Sequence, residues 1–171
     1  MDKRYEDKIS KISYNYELIK KDFKWEADLS RHLVALNYTI QDKPLDTEYI
    51  KSFSRIIKKK TGIFSPFRGT MRFALSGLLT SDYDQAEVQL DKMLSYEDTL
   101  KSVGFKRSSY LPTALYALLK CEDNMSIDSL AEGAKAVYDE MKSNHPFLTS
   151  GDDYALAILL ANTGRDIDVL E

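Results

Sequence analysis

Residues 74–79 read Ala74-Leu75-Ser76-Gly77-Leu78-Leu79, and the pattern Ala-Leu-x-x-Leu-Leu returns at Ala114-Leu115…Leu118-Leu119 and Ala155-Leu156…Leu159-Leu160. The offsets are 40 and 41 residues. A weaker copy, Ala35-Leu36…Ile40, lies 39 residues before the first. Leucines at i, i+3 and i+4 share one face of a helix, so each copy reads as a buried helical stripe. A repeat near 40 residues with two helices per unit is the signature of stacked helical hairpins. The expected fold is therefore all-α: one domain over residues 1–171, with hairpins at about 3–41, 46–80, 82–121 and 126–163. Residues 164–171 would begin a truncated fifth unit. A plain bundle of antiparallel helices is the simpler alternative.

The flanking sequence agrees with helices throughout. Tyr5, Ile9, Ile12, Tyr16, Ile19 and Phe23 step by four and three, and the stripe then shifts phase to Trp25, Leu29, Leu33, Leu36 and Ile40. The phase shift predicts a break near residues 20–24, with Trp25 as a packing anchor between the first two helices. Asp46 is placed to cap a helix ending in Lys58-Lys59-Lys60-Thr61-Gly62, where cations meet the negative end of the dipole and glycine stops the chain. Further helices are expected at about 68–80, 83–103, 111–121, 126–144 and 152–162. Pro112 falls in the first turn of its helix, where a missing N–H is harmless. No segment alternates with period 2. The predicted core includes Leu75, Leu78, Leu115, Leu118, Leu156 and Leu159. A phenylalanine, Phe64, Phe105 or Phe147, lies near the loop before three of the copies.

Composition excludes several classes. The 171 residues are 43% hydrophobic and 30% charged, ordinary for a globule and incompatible with wholesale disorder. A net charge of −3 gives no bulk electrostatic reason to bind nucleic acid. The single cysteine, Cys121, excludes an internal disulfide framework and suits a reducing compartment; its expected role is packing. The start, MDKRYEDKIS, has no apolar signal region, and the longest apolar run is too short to span a bilayer. A cytoplasmic location is expected.

Charge singles out the loops. Between Lys58 and Ser81 stand Lys58, Lys59, Lys60, Arg68 and Arg72 with no carboxylate; between Thr99 and Cys121 stand Lys101, Lys106, Arg107 and Lys120, again with none. Dipole complementarity accounts for the lysines at helix ends and for acids such as Asp46, Asp82, Asp128 and Asp166 at helix starts. It does not account for Arg68, Arg72 and Arg107, which lie at or just before expected helix N-termini, where an anion would relieve the conflict. The segment His145-Pro146-Phe147-Leu148-Thr149-Ser150-Gly151-Asp152-Asp153-Tyr154 gathers an imidazole, two hydroxyls and two carboxylates on the same expected edge. The candidate ligand-binding residues are therefore Arg68, Arg72, Lys106, Arg107, His145, Ser150, Asp152 and Asp153. Asp152 or Asp153 also suits an N-cap, and Arg68 is expected to tie to one of them. No catalytic residue, metal site or cofactor is assigned. Nucleotide, nucleophile-elbow, zincin and Cys-x-x-Cys motifs are absent, and the acids beside Cys121 would suppress rather than activate its thiol.

The expected function is a helical binding or scaffold module whose basic edge meets an acidic protein segment or an anionic small molecule. The alternative is an enzyme, or enzyme fragment, using the His145–Asp153 loop with Arg68 as an anion clamp. An unfinished stack leaves the face bearing Val137, Tyr138, Met141, Leu156, Leu159 and Leu160 uncovered, so a homo-oligomer joined through the fourth hairpin is expected.

Lys24-Trp25-Glu26, His32-Leu33-Val34-Ala35-Leu36, Phe64-Ser65-Pro66-Phe67-Arg68-Gly69, Ser109-Tyr110-Leu111 and the 145–154 segment resemble a bacterial family known only as domain of unknown function four thousand and three. The resemblance covers most of the chain. Members of that family look roughly twice as long, in keeping with the abrupt end at Glu171. Because the family has no established activity, the resemblance implies a bacterial, cytoplasmic protein and no catalytic residues.

Overall fold

Helix α1 (Lys3–Asp22) opens the chain, with Glu6 in its first turn and Lys20 and Lys21 in its last, each sign complementing the dipole. The computed structural model describes residues 3–122 and 125–164, and the chain divides into two units, residues 1–89 and 90–171. Asp123 and the beginning of the expected fifth unit, with Asp166, lie outside the described residues.

In the first unit α1 is followed by α2 (Asp28–Ile40), α3 (Thr47–Lys60), a 3₁₀ turn (Pro66–Arg68) and α4 (Arg72–Asp82). The break between α1 and α2 falls at residues 23–27, where the phase shift predicts one. Phe23, not Trp25, turns inward there, its ring 4.5 Å from that of Phe73. Trp25 is 89% exposed, with the Lys24 ammonium 5.2 Å from its ring, so it is no packing anchor. The reason is local: one turn of non-helical chain carries Trp25 out of the stripe that spacing alone assigns it.

Asp46 caps α3, its carboxylate accepting from the Tyr49 N–H at 2.9 Å, and Ile50, Phe53 and Ile57 are buried along α3. Helix α4 is buried from Phe73 to Ser81 and packs against both α2 and α3. It starts at Arg72 rather than Arg68 because Ser65 caps a separate 3₁₀ turn that ends at Gly69. Small residues let α4 approach closely: Gly77 abuts Val34, the Tyr38 hydroxyl meets that of Thr80 at 2.7 Å, and Asn37 donates to Ser81 Oγ and Asp82, both at 2.6 Å. Burial pushes the Tyr38 phenol up to about 12.

The second unit carries most of α5 (Ala86–Ser95), then α6 (Glu97–Ser102), α7 (Leu111–Cys121), α8 (Ile127–Asn144), a 3₁₀ turn (Gly151–Asp153) and α9 (Tyr154–Ala161). The single helix expected over 83–103 is thus two. Tyr96 separates them, its hydroxyl donating to Glu122 Oε2 at 2.6 Å. That bond anchors the chain at the end of α7, and α6 turns to bury Leu100. Ser126 caps α8 through its bond from the Ser129 N–H. Helix α9 packs against α7 and α8. Among the described residues there is no strand, and no helix is long and apolar enough to cross a membrane. The fold is all-α.

Burial divides the repeated motif. Leu75, Leu78, Leu115 and Leu118 are buried as expected, but Leu156 and Leu159 are 45% and 49% exposed. Tyr154, Ala157 and Ile158 supply the buried side of α9 instead. Residues 154–161 are apolar on every face, so periodicity gives no direction and packing against α7 and α8 chooses one. Helix α2 departs in the same way: it buries Val34, Ala35, Tyr38 and Thr39, while Leu29, Leu33, Leu36 and Ile40 face outward. Phe105 is buried, whereas Phe64 and Phe147 are exposed. Cys121 is buried, and burial raises its thiol above the usual range, as a packing role requires.

Candidate functional site: two pinned loops of the second unit

Two connections in the second unit meet around one aromatic cluster. The Phe105 and Tyr154 rings pack edge to face at 4.7 Å, Tyr138 and Tyr154 at 5.0 Å, and Phe105 and Tyr138 at 6.0 Å. Phe105 begins the loop before α7, Tyr154 ends the loop before α9, and Tyr138 comes from α8. The Lys106 N–H donates to the Tyr154 hydroxyl at 3.3 Å. A Cβ on Gly151 would stand 3.3 Å from Ser108 Oγ, so the loops touch there as well.

The loop over 145–153 is fixed along its length. The Lys142 ammonium donates to the carbonyl oxygens of Pro146 and Thr149, at 2.6 Å each. The Thr149 hydroxyl donates to the Met141 carbonyl at 3.0 Å, and its N–H to the His145 carbonyl at 2.9 Å. The Ser150 N–H donates to Asp153 Oδ2 at 2.9 Å, and the Ser150 hydroxyl bonds to Asp152 Oδ1. Thr149 is buried, yet the neighbouring Phe147 and Leu148 are 99% and 81% exposed. A loop held by its own polar groups therefore presents an aromatic and an aliphatic side chain to solvent.

The predicted residues separate accordingly. Lys106, Arg107, His145, Ser150, Asp152 and Asp153 all lie on these two loops, and Lys106, Arg107, His145, Ser150 and Asp152 are exposed. Asp152 and Asp153 take up the Ser150 hydroxyl and N–H, the turn-capping role that their position suggests. Arg68 and Arg72 belong to the first unit. The Arg68 guanidinium donates to the carbonyl oxygens of Thr61, at 2.9 Å, and Lys58. It is tied to the negative end of α3, not to Asp152 or Asp153, and these carbonyls occupy the place where sequence reasoning puts an anion. Arg72 donates from Nε to Ser54 Oγ at 3.0 Å and from Nη1 to the Arg68 carbonyl at 2.9 Å. Among the described residues, no group of three or more His, Cys, Asp or Glu side chains is arranged to hold a metal ion.

Sequence reasoning missed Lys142, Phe147 and Leu148 as parts of the site. The available signal was an apolar pair between a proline and two hydroxyl residues, with a lysine one helical turn before the proline. An apolar pair in a loop that is otherwise polar is the feature to weigh.

The family described as "Protein of unknown function (DUF4003)" matches residues 15–171, and the chain belongs to that family. It is 26% identical over 161 residues to "Uncharacterized protein YeaA" of Bacillus subtilis (strain 168), a match covering 91% of this chain and 49% of the relative. The chain thus spans about half the length of that relative. No solved structure matches.

Proposed function

We propose that this family member is a cytoplasmic helical binding module, an array of hairpins whose second unit captures an acidic protein segment bearing apolar side chains. The array reading draws on a recurrent packing within each unit. In the first, α4 lies against α2 and α3; in the second, α9 lies against α7 and α8. In both, a helix carrying a later copy of the motif packs on the helix carrying the earlier copy and on the helix between them.

The observation that carries the binding reading is the exposure of Phe147 and Leu148 on a loop pinned by Lys142, Thr149 and Asp153. Exposed apolar side chains on a fixed loop cost little conformational entropy when a partner covers them, the property of interface anchors. Lys106 and Arg107 on the adjoining loop favour carboxylates in that partner. A small anion alone would leave the apolar pair uncovered.

The test is selection of the intact chain against a displayed random-peptide library, followed by titration of the enriched peptides. Acidic sequences with an aromatic or aliphatic anchor are expected. Phe147→Ala with Leu148→Ala should weaken them on the order of tenfold or more, the loss of two anchors. Lys106→Glu with Arg107→Glu should weaken acidic peptides selectively. No enrichment, or peptides indifferent to all four substitutions, would overturn the reading.

A further inference from the structure

Helix α2 presents a second uncovered surface, in the other unit. Leu29, Leu33, Leu36 and Ile40 are 39–82% exposed, and their spacing of four, three and four is that of a coiled-coil seam. They lie opposite the face through which α2 buries Val34 and Tyr38. On α1, which packs against α2, Tyr5 and Ile9 are exposed too.

We propose that two copies of the chain associate through this face of α2, in antiparallel register about a two-fold axis. Leu33 of one copy then meets Leu36 of the other, and Leu29 meets Ile40.

Three observations select a second copy over other occupants. The residues flanking the seam, Ser30, His32, Asn37 and Thr39, carry no carboxylate, lysine or arginine. A two-fold interface brings each patch against itself, so charged flanks would confront like charges, and these flanks avoid that. An acidic peptide or an anionic lipid surface would instead need a basic rim. The only Lys or Arg side chain of α2 is Arg31, which is paired with Asp28 at 2.8 Å. Finally, the seam with Tyr5, Ile9 and the nearby Trp25 offers apolar surface on the order of the ~800 Å² per partner that a stable dimer needs. This association is independent of the peptide-binding loop and can fail without it.

The experiment is light scattering of the intact chain at tens of micromolar. The expected mass is twice 19.6 kDa. Leu33→Glu with Leu36→Glu should return 19.6 kDa, with circular dichroism showing that helicity is kept. Leu29→Lys, at the most exposed seam position, should loosen the dimer without touching the core. The pair Leu156→Glu and Leu159→Glu, on α9, should leave it intact. A wild-type monomer would overturn the proposal. So would a dimer that survives the α2 changes or is dissolved only by those on α9.

Discussion

A Cβ placed on Gly77 would fall 2.5 Å from both Cγ1 and Cγ2 of Val34. Glycine is required there because α4 passes against α2 with no room for a methyl group, although glycine weakens a helix interior. Real Cβ atoms do not tolerate that distance, and the obstructing groups sit on a β-branched side chain with little rotamer freedom in a helix.

Gly77→Ala should therefore destabilise the protein by about 1–2 kcal/mol, the overpacking cost exceeding the ~1 kcal/mol that alanine returns in helix propensity. In a Val34→Ala background, where the methyls are gone, the same substitution should become neutral or stabilising. A double-mutant cycle by urea denaturation reads the change of sign. An equal effect of Gly77→Ala in both backgrounds would show that the helices do not meet at this point.

Leu75, Leu115 and Leu156 occupy one position of the repeated motif but three environments. Leu75→Ala and Leu115→Ala should each cost about 2–5 kcal/mol, as buried leucines do when a cavity is left. Leu156→Ala should cost less than about 1 kcal/mol, since its side chain is nearly half exposed. Chemical denaturation of the three variants ranks them directly. Equal losses would mean that α9 presents its leucines to the core after all.

Acid should remove a tie between α1 and α3. The Thr47 hydroxyl bonds to the Asp22 carboxylate, and Lys51 approaches it at 3.2 Å; together they hold Asp22 below the usual carboxylate range. A carboxylate lowered in the folded state stabilises the fold above its unfolded value, near pH ~4, and the benefit fades as pH falls through the folded value. Wild type should melt above Asp22→Asn at neutral pH, and the gap should close below pH ~4. Thermal melts of both proteins from neutral to acidic pH check this. A gap that persists unchanged at the acid end would assign the effect to packing.

The helical stripes, the caps at Asp46 and Ser126, the break after α1 and the turn at residues 145–153 were legible because each depends on neighbours in sequence. Tyr96 shows where such reading stops. It divides one predicted helix through a bond to Glu122, a residue 26 positions away, and no local pattern announces that partner. The candidate site was half legible for the same reason. The polar residues of the 145–154 segment stood out by composition. The clamp from Lys142, and the exposure of Phe147 that follows from it, depend on how the loop closes on α8.

Residue chemistry and spacing determined that this chain is helical, where its helices begin and end, and which residue types its loops carry. Only the tertiary structure decided which way the apolar faces point. A helix such as α9, apolar all round, or α2, apolar on two faces, has no preferred side until neighbours pack against it. Gly77 brings α4 onto the Val34 and Tyr38 side of α2, so Leu29, Leu33, Leu36 and Ile40 remain in water. Burial is a property of pairs of surfaces, and the sequence of one helix describes only one of them.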